Sequence, residues 1–204
     1  MDMRQVLGFL ILFVCGNLAA EGTMSPAETL QTRLLELTSF SASFKQSTHE
    51  QDGFLLDEQS GKLYFSRPSL LRWEAEQPFA QTLVADGIDI YLYDPDLDQV
   101  TIRAWSSNPL ENPAAIFVSE EDVSAHFSIA EEGDSYLLTP FADQSTVAQL
   151  TLEFRQGIPT TLEILDTLGQ ITRIEFSDQE VGPVLAPEMF EFVIPDGAEV
   201  ITDG

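Results

Sequence analysis

A mainly β chain with a few helices, built on one antiparallel sheet that curls or closes on itself, is the fold class the sequence predicts. Three observations point there. From Phe40 onward apolar and polar residues alternate, Phe40, Ala42 and Phe44 against Ser41, Ser43 and Lys45, which is the period of a half-buried strand. Short segments rich in Val, Ile, Leu, Phe, Tyr and Thr then follow one another, divided by Asp86-Gly87, Asp94-Pro95, Gly133-Asp134, Gly157 and Leu168-Gly169. Short strands joined by tight turns argue for antiparallel pairing and against βαβ units.

The elements are read in chain order. Arg4 precedes the apolar run Val6 to Val14, and small or polar residues follow to Ala19 and Ala20, the layout of a secretory signal peptide. A membrane-spanning helix needs roughly 20 apolar residues, so the run predicts export with cleavage after Ala20, leaving residues 21–204 as a single domain. Cys15, the one cysteine, leaves with that segment; a lipidated Cys15 would instead anchor the chain to a membrane. Ser25-Pro26-Ala27-Glu28 carries an N-cap, a first-turn proline and a capping-box glutamate. With Leu30, Leu34 and Leu37 at i, i+4 and i+7, it predicts an amphipathic helix over 26–38.

Strands are expected near 61–66, 70–76, 80–86, 89–94, 98–104, 125–130, 135–139, 147–155, 160–166, 170–177 and 190–194. Residues 108–119, NPLENPAAIFVS, break the rhythm: Pro109 and Pro113 lead into a compact apolar run, which predicts a short helix or two inserted between strands.

Charge and composition narrow the function. Nine Lys and Arg against 34 Asp and Glu give a net charge of −25, so the surface repels phosphate backbones and nucleic acid is excluded as a partner. An acidic shell of this kind suits a saline medium, where roughly 0.5–1 M salt shortens the Debye length to a few ångströms. Two histidines and one cysteine cannot supply a Cys/His zinc cluster or a disulfide framework, and once Cys15 leaves with the signal segment a Cys–His nucleophile lacks its thiol. His49, in a polar turn-like stretch, and His126, beside Phe127 in an expected strand, read as structural. Neither a phosphate loop, a metal motif nor a dinucleotide fingerprint is present, and no carboxylate pair stands out as a glycosidase pair would. The reading is a binding protein without cofactor or metal, not an enzyme.

Four segments carry a family resemblance: SFSASFKQ (39–46), GKLYFSRPSLLRWEAEQP (61–78), QTLVADGIDIYLYDPDLDQVTIR (81–103) and MFEFVIPDGAEV (189–200). In this order and spacing they resemble the LolA family of periplasmic lipoprotein carriers. Arg67-Pro68 followed by an apolar pair and Trp73, then Asp86-Gly87 and the Tyr93-Asp94-Pro95 turn, is the most specific part. The resemblance implies an incompletely closed antiparallel β-barrel with a helical lid over an apolar cavity. It also implies a monomeric chaperone that receives acylated lipoproteins from the inner-membrane transporter LolCDE, crosses the periplasm, and delivers them to the outer-membrane receptor LolB. The membrane-anchored acceptor LolB shares the fold and is one alternative; a general periplasmic hydrophobic-ligand carrier is another.

Residue roles follow from the resemblance. Arg67 is expected to latch the lid, since a guanidinium offers five donors in a fixed fork to helix-end carbonyls and stays costly to bury unpaired. Phe65, Leu71, Trp73, Leu83, Tyr91 and Tyr93, on consecutive strands, are expected to share an inward face with Phe40 and Phe44 and to contact acyl chains. Leu71 stands near the mouth where the family often has an aromatic residue. Leu30, Leu34, Leu37, Ile116, Phe117 and Val118 are expected to form the lid.

Overall fold

Ser25 and Glu28 open the fold as a reciprocal pair in the computed structural model, which describes residues 24–142 and 145–203. The Glu28 backbone N–H donates to the Ser25 hydroxyl at 3.3 Å, and the Ser25 N–H donates to the Glu28 carboxylate at 2.7 Å, satisfying two N-terminal donors of helix α1 (Pro26–Glu36). The helix stops short of the expected residue 38 because Leu37 caps it with a non-helical backbone and Ser39 already belongs to the first strand. The expected signal segment 1–20, with Cys15, lies outside the described residues.

Twelve strands follow: β1 (Ser39–His49), β2 (Leu55–Ser66), β3 (Leu70–Gln77), β4 (Gln81–Asp86), β5 (Asp89–Asp94), β6 (Gln99–Ala104), β7 (Phe127–Glu132), β8 (Ser135–Pro140), β9 (Val147–Arg155), β10 (Ile158–Asp166), β11 (Ile171–Val181) and β12 (Glu199–Asp203). They form one sheet in the order β12-β6-β5-β4-β3-β2-β1-β11-β10-β9-β8-β7, with β12 and β7 at its two open edges. Pairing is antiparallel throughout except between β12 and β6. Between β6 and β7 the chain leaves the sheet as a strap that holds the one-turn helix α2 (Ala115–Val118) and a 3-10 turn (Val123–Ala125).

Register sorts the side chains onto two faces. Leu63, Trp73, Leu83 and Leu92 stand opposite one another on β2 to β5, and the next row is Tyr64, Arg72, Val84 and Tyr91 on the reverse face. The first face carries the main core, which runs through Phe40, Phe44, Phe65, Leu150, Leu152, Leu162 and Ile174. Helix α1 lays Leu30 and Leu34 onto β7 and the 3-10 turn at that end of the core. Burying each leucine stabilises by about 1.5–3 kcal/mol. Arg33 holds the solvent edge of the packing, with its guanidinium 5.4 Å from the Tyr136 ring and 3.0 Å from the Asp134 carboxylate. Tyr136 is itself buried under it and donates to Glu131 at 2.8 Å; burial first, and that bond second, push its phenol up to about 12.

Several boundaries differ from the sequence expectations. β1 runs on to His49 and β2 begins at Leu55, so the polar stretch around His49 pairs as strand rather than turning. β7 begins at Phe127 because Ala125 sits in the 3-10 turn and His126 caps it. The expected strand at 190–194 is absent. Pro187–Phe190 is a 3-10 turn, and the segment after it lies across the reverse face, with Phe192 stacked on Tyr91 at 5.4 Å and Arg72 Nη1 donating to the Met189 carbonyl at 3.1 Å. The last strand comes later, at 199–203, and pairs in parallel because the chain has first crossed that face.

Candidate functional site

Strand spacing shows how far the sheet curls. β4 and β10 are separated by β3, β2, β1 and β11, which in a flat sheet places them about 24 Å apart at roughly 4.8 Å per strand. Leu83 of β4 and Leu162 of β10 nevertheless line the same cavity of about 220 Å³. Two local devices help to bend the sheet. Register slips at Ser41/Ser43 on β1, Ser60/Gly61 on β2 and Pro159/Thr161 on β10 interrupt the ladder, and slips of this kind bend the strand that carries them. Gly61 lets β2 and β3 approach so closely that a Cβ there would lie 1.8 Å from the Glu74 carbonyl oxygen. Phe44, directly across from Gly61, lays its ring 3.9 Å from that of Trp73.

The strap forms the roof. Asn112, Pro113, Ala114 and Phe117 face Leu63, Leu71, Trp73 and Leu83 on one side of the cavity and Leu162, Ile164, Ile174 and Phe176 on the other, with Gln46 as a polar wall residue. All four residues of α2 are buried. Phe117 works as a plug: its ring stacks on Phe65 at 5.9 Å and meets Phe176 edge-on at 5.9 Å, while Phe40 touches the same two strand rings at 5.3 and 6.2 Å. Ligand pockets commonly span about 300–1,000 Å³, so this space of about 220 Å³ is smaller than a common ligand pocket.

Arg67 sits at the corner where sheet, helix and strap meet. Its backbone N–H donates to the Thr38 carbonyl just beyond α1 at 2.9 Å, and its guanidinium donates through Nη1 to the Ser119 carbonyl that ends α2. Two residues on, the Ser69 N–H donates to the Val118 carbonyl at 3.2 Å. The β2–β3 turn therefore holds the exits of both helices. Burial lowers the Arg67 pKa from its ordinary value, and the nearby Glu120 charge partly opposes this. Arg67 Nε is buried without a partner, so the closed corner leaves one donor unpaired, which costs free energy.

The site as built contains part of what the sequence suggested. Leu71, Trp73 and Leu83 line the cavity, and Leu71 is buried in its wall; Phe40, Phe44 and Phe65 form the aromatic packing beside it. Tyr91 and Tyr93 are a correction. Tyr91 pairs with Val84 and Tyr93 with Thr82, which puts both on the reverse face under Phe192, not on a common inward face with Trp73. Among the six lid residues Phe117 reaches the cavity, whereas Leu30, Leu34, Leu37, Ile116 and Val118 are buried in the surrounding core. Gln46, Leu63, Asn112, Pro113, Ala114, Leu162, Ile164, Ile174 and Phe176 also line the cavity and were not foreseen. Alternation within 170–177 singles out Ile174 and Phe176, but only the pairing of β11 with β1 and β10 tells which face they take.

The end of the sheet opposite the Arg67 turn has a consistent chemistry. Five connections lie at this end of the sheet, and each presents one large apolar side chain that is between 62 % and 83 % exposed: Leu97, Phe79, Phe54, Leu168 and Phe141. None of these connections contains Lys or Arg, and Glu50, Asp52, Asp96, Asp98 and Asp166 stand among them. Among the described residues there is no group of three or more His, Cys, Asp or Glu side chains placed to hold a metal ion, and no helix is long and apolar enough to cross a membrane.

Comparison with known proteins agrees with this geometry. A family model described as outer membrane lipoprotein carrier protein LolA matches residues 36–193. The outer-membrane lipoprotein carrier protein of Chromohalobacter salexigens is 35% identical over 192 residues, covering 92% of this chain and 91% of that protein. Its counterpart in Alkalilimnicola ehrlichii is 34% identical over 210 residues, covering 99% and 98%. Among solved structures, an uncharacterized conserved protein from Thermus thermophilus superposes with a TM-score of 0.58 at 14% identity, covering 88% of this chain and 100% of that one, a likeness of fold.

Proposed function

The chain belongs to the LolA family of outer membrane lipoprotein carriers, and on that premise we propose that it is a periplasmic chaperone for acylated lipoproteins. It takes the acyl chains of lipoproteins released from the inner membrane by LolCDE, carries them across the periplasm as a monomer, and hands them to LolB at the outer membrane. The family's members are carriers rather than enzymes.

The observation that carries this reading is an apolar cavity, smaller than a common ligand pocket, beneath a roof that the strap and its one helical turn supply. In water each methylene left exposed costs roughly 0.8 kcal/mol, so triacylated cargo needs a cover, and that cover must yield to admit it. Phe117 leaves its place between Phe65 and Phe176, the strap lifts, and acyl chains spread over Leu71, Trp73 and Leu83 and the packing of Phe40, Phe44 and Phe65. Leu30, Leu34, Leu37, Ile116 and Val118 supply the core contacts that draw the lid back.

Arg67 is the latch. Reclosing restores its bond to the Ser119 carbonyl and expels the guest, so the same contact that resists loading drives release. The apolar, base-free end of the sheet suits an acceptor whose docking face offers an apolar centre with basic residues around it. Residues 1–20 direct export and are removed.

The test is recovery of the protein from the periplasm with an acylated lipoprotein bound, followed by incubation with membranes that carry LolB. Transfer of the lipoprotein to those membranes supports the reading. Protein that never retains acylated cargo overturns it.

A further inference from the structure

The strap has a neck, and one side chain closes it. Between Ser107 and Glu121 the chain runs out over the cavity and returns, a surface loop whose ends meet, as in an Ω-loop. The Glu121 carboxylate joins both sides of the neck. One oxygen accepts from the Ser107 hydroxyl on the outgoing limb, and the other lies 2.9 Å from Nε2 of His126, beyond the returning limb. Its backbone is fixed as well: the Glu121 N–H donates to the Ser119 hydroxyl at 3.0 Å, and its carbonyl accepts from Gln31 Nε2 on α1 at 3.4 Å.

We infer that Glu121 is a positioning residue for the lid, a clasp that makes the strap move as one flap and holds the Ser119 carbonyl where Arg67 can reach it. Only Glu120 separates the clasp from the latch acceptor Ser119, so opening the neck slackens both. This inference rests on the carrier reading above and assigns it a further residue.

The clasp responds to pH in a defined direction. The Ser107 bond first, then the His126 bond, and then the charge of His126, hold the Glu121 carboxyl below its usual range. A depressed carboxyl contributes stability that is present above its unfolded value and lost as the pH falls through its folded one. The flap therefore loosens in acid. The other charged groups in the neighbourhood are Glu120 and Asp122 on the same segment, Glu111 bound to Ser106 and Asn108 on the outgoing limb, Glu28 on α1, and Arg67. None of the carboxylates among them spans the two limbs as Glu121 does.

The experiment uses the full mature chain, wild type with Glu121→Ala and Glu121→Gln, and a neutral fluorescent monoacylglycerol as probe. Uptake rate is followed from neutral pH down to about pH 2.5, through and below the usual carboxyl range, and hydrogen exchange of residues 112–118 is measured in parallel. Losing one to two net hydrogen bonds predicts uptake and exchange about threefold to tenfold faster in Glu121→Ala at neutral pH. The acid-induced acceleration expected of wild type is absent from both variants, and Glu121→Gln, which retains hydrogen-bonding atoms, lies between the two in rate. Wild-type rates and an unchanged pH profile in Glu121→Ala overturn the clasp. A wild-type protein that takes up no probe at any pH overturns the carrier reading instead.

Discussion

Replacing Phe117 with alanine separates a lid from an ordinary core. The ring stands between Phe65 and Phe176 at 5.9 Å from each and borders the cavity. Removing it leaves an extra void of about 100 Å³, whose cavity cost of about 2.4 kcal/mol at roughly 24 cal/mol per Å³ adds to the lost transfer free energy, giving the ~3–5 kcal/mol typical of buried phenylalanine truncations. That void adjoins the existing cavity of about 220 Å³, so the combined space passes the ~300 Å³ at which ligand pockets begin. Urea unfolding of Phe117→Ala therefore shows a lower midpoint. Titration with a fluorescent monoacylglycerol shows the opposite sign. The guest no longer displaces a side chain whose burial is worth about 1.5–3 kcal/mol, so affinity rises by about tenfold to a hundredfold. A purely structural Phe117 predicts the stability loss without the gain in binding. A variant that is destabilised and binds the probe no better refutes the competition between lid and guest.

Arg67→Leu folds and loads lipoprotein but retains it in the presence of LolB membranes, because the contact with the Ser119 carbonyl that drives reclosure is gone; normal transfer removes the latch role. Gly61→Ala forces β2 and β3 apart at the Glu74 carbonyl and lowers unfolding free energy by about 3 kcal/mol or more, whereas a melting curve unchanged from wild type contradicts the close approach. Raising salt from about 0.05 to 1 M screens a net charge of −25 and raises the thermal midpoint; a midpoint that does not rise shows that repulsion among the carboxylates costs the fold little.

Periodicity carried much of the fold, and it failed where a second surface had to be known. The step from the 3.6-residue spacing of Leu30 and Leu34 to the alternation of Phe40, Ala42 and Phe44 marks the passage from α1 to β1, and both are observed there. Tyr91 and Tyr93 also alternate cleanly, yet alternation assigns residues to one face or the other without saying which face is inward. Their pairing with Val84 and Thr82 decides it, and the C-terminal segment then makes the reverse face as buried as an interior one: Val84 and Val100 are inaccessible there. That same cover misled the reading of 190–194. Its apolar residues serve packing across a sheet, as Phe192 does on Tyr91, rather than pairing within it. The cavity's far wall, Ile164, Ile174 and Phe176, was hidden for a related reason, since it exists only once β10 curls to meet β4.

Chain length gives the carrier reading its sharpest number. Opening the strap exposes Ile116, Phe117 and Val118, all buried when closed, at about 1.5–3 kcal/mol each. The roof therefore costs about 5–9 kcal/mol to lift, and each methylene sheltered beneath it returns about 0.8 kcal/mol. Binding breaks even only after roughly six to eleven methylenes, so a guest must be long before the lid yields at all. Neutral monoacylglycerols from six to sixteen carbons, ranked by displacement of a fluorescent probe, then show almost no binding at the short end and steep growth beyond the threshold. Affinity that climbs evenly from the shortest chain, with no threshold, means that the guest never moves the roof, and the coupling between closure and release fails with it. On the proposed carrier reading, the same threshold reconciles a tight grip on acyl chains with delivery: the free energy held in the displaced roof offsets part of the chains' burial, and it is recovered when the strap returns to Arg67.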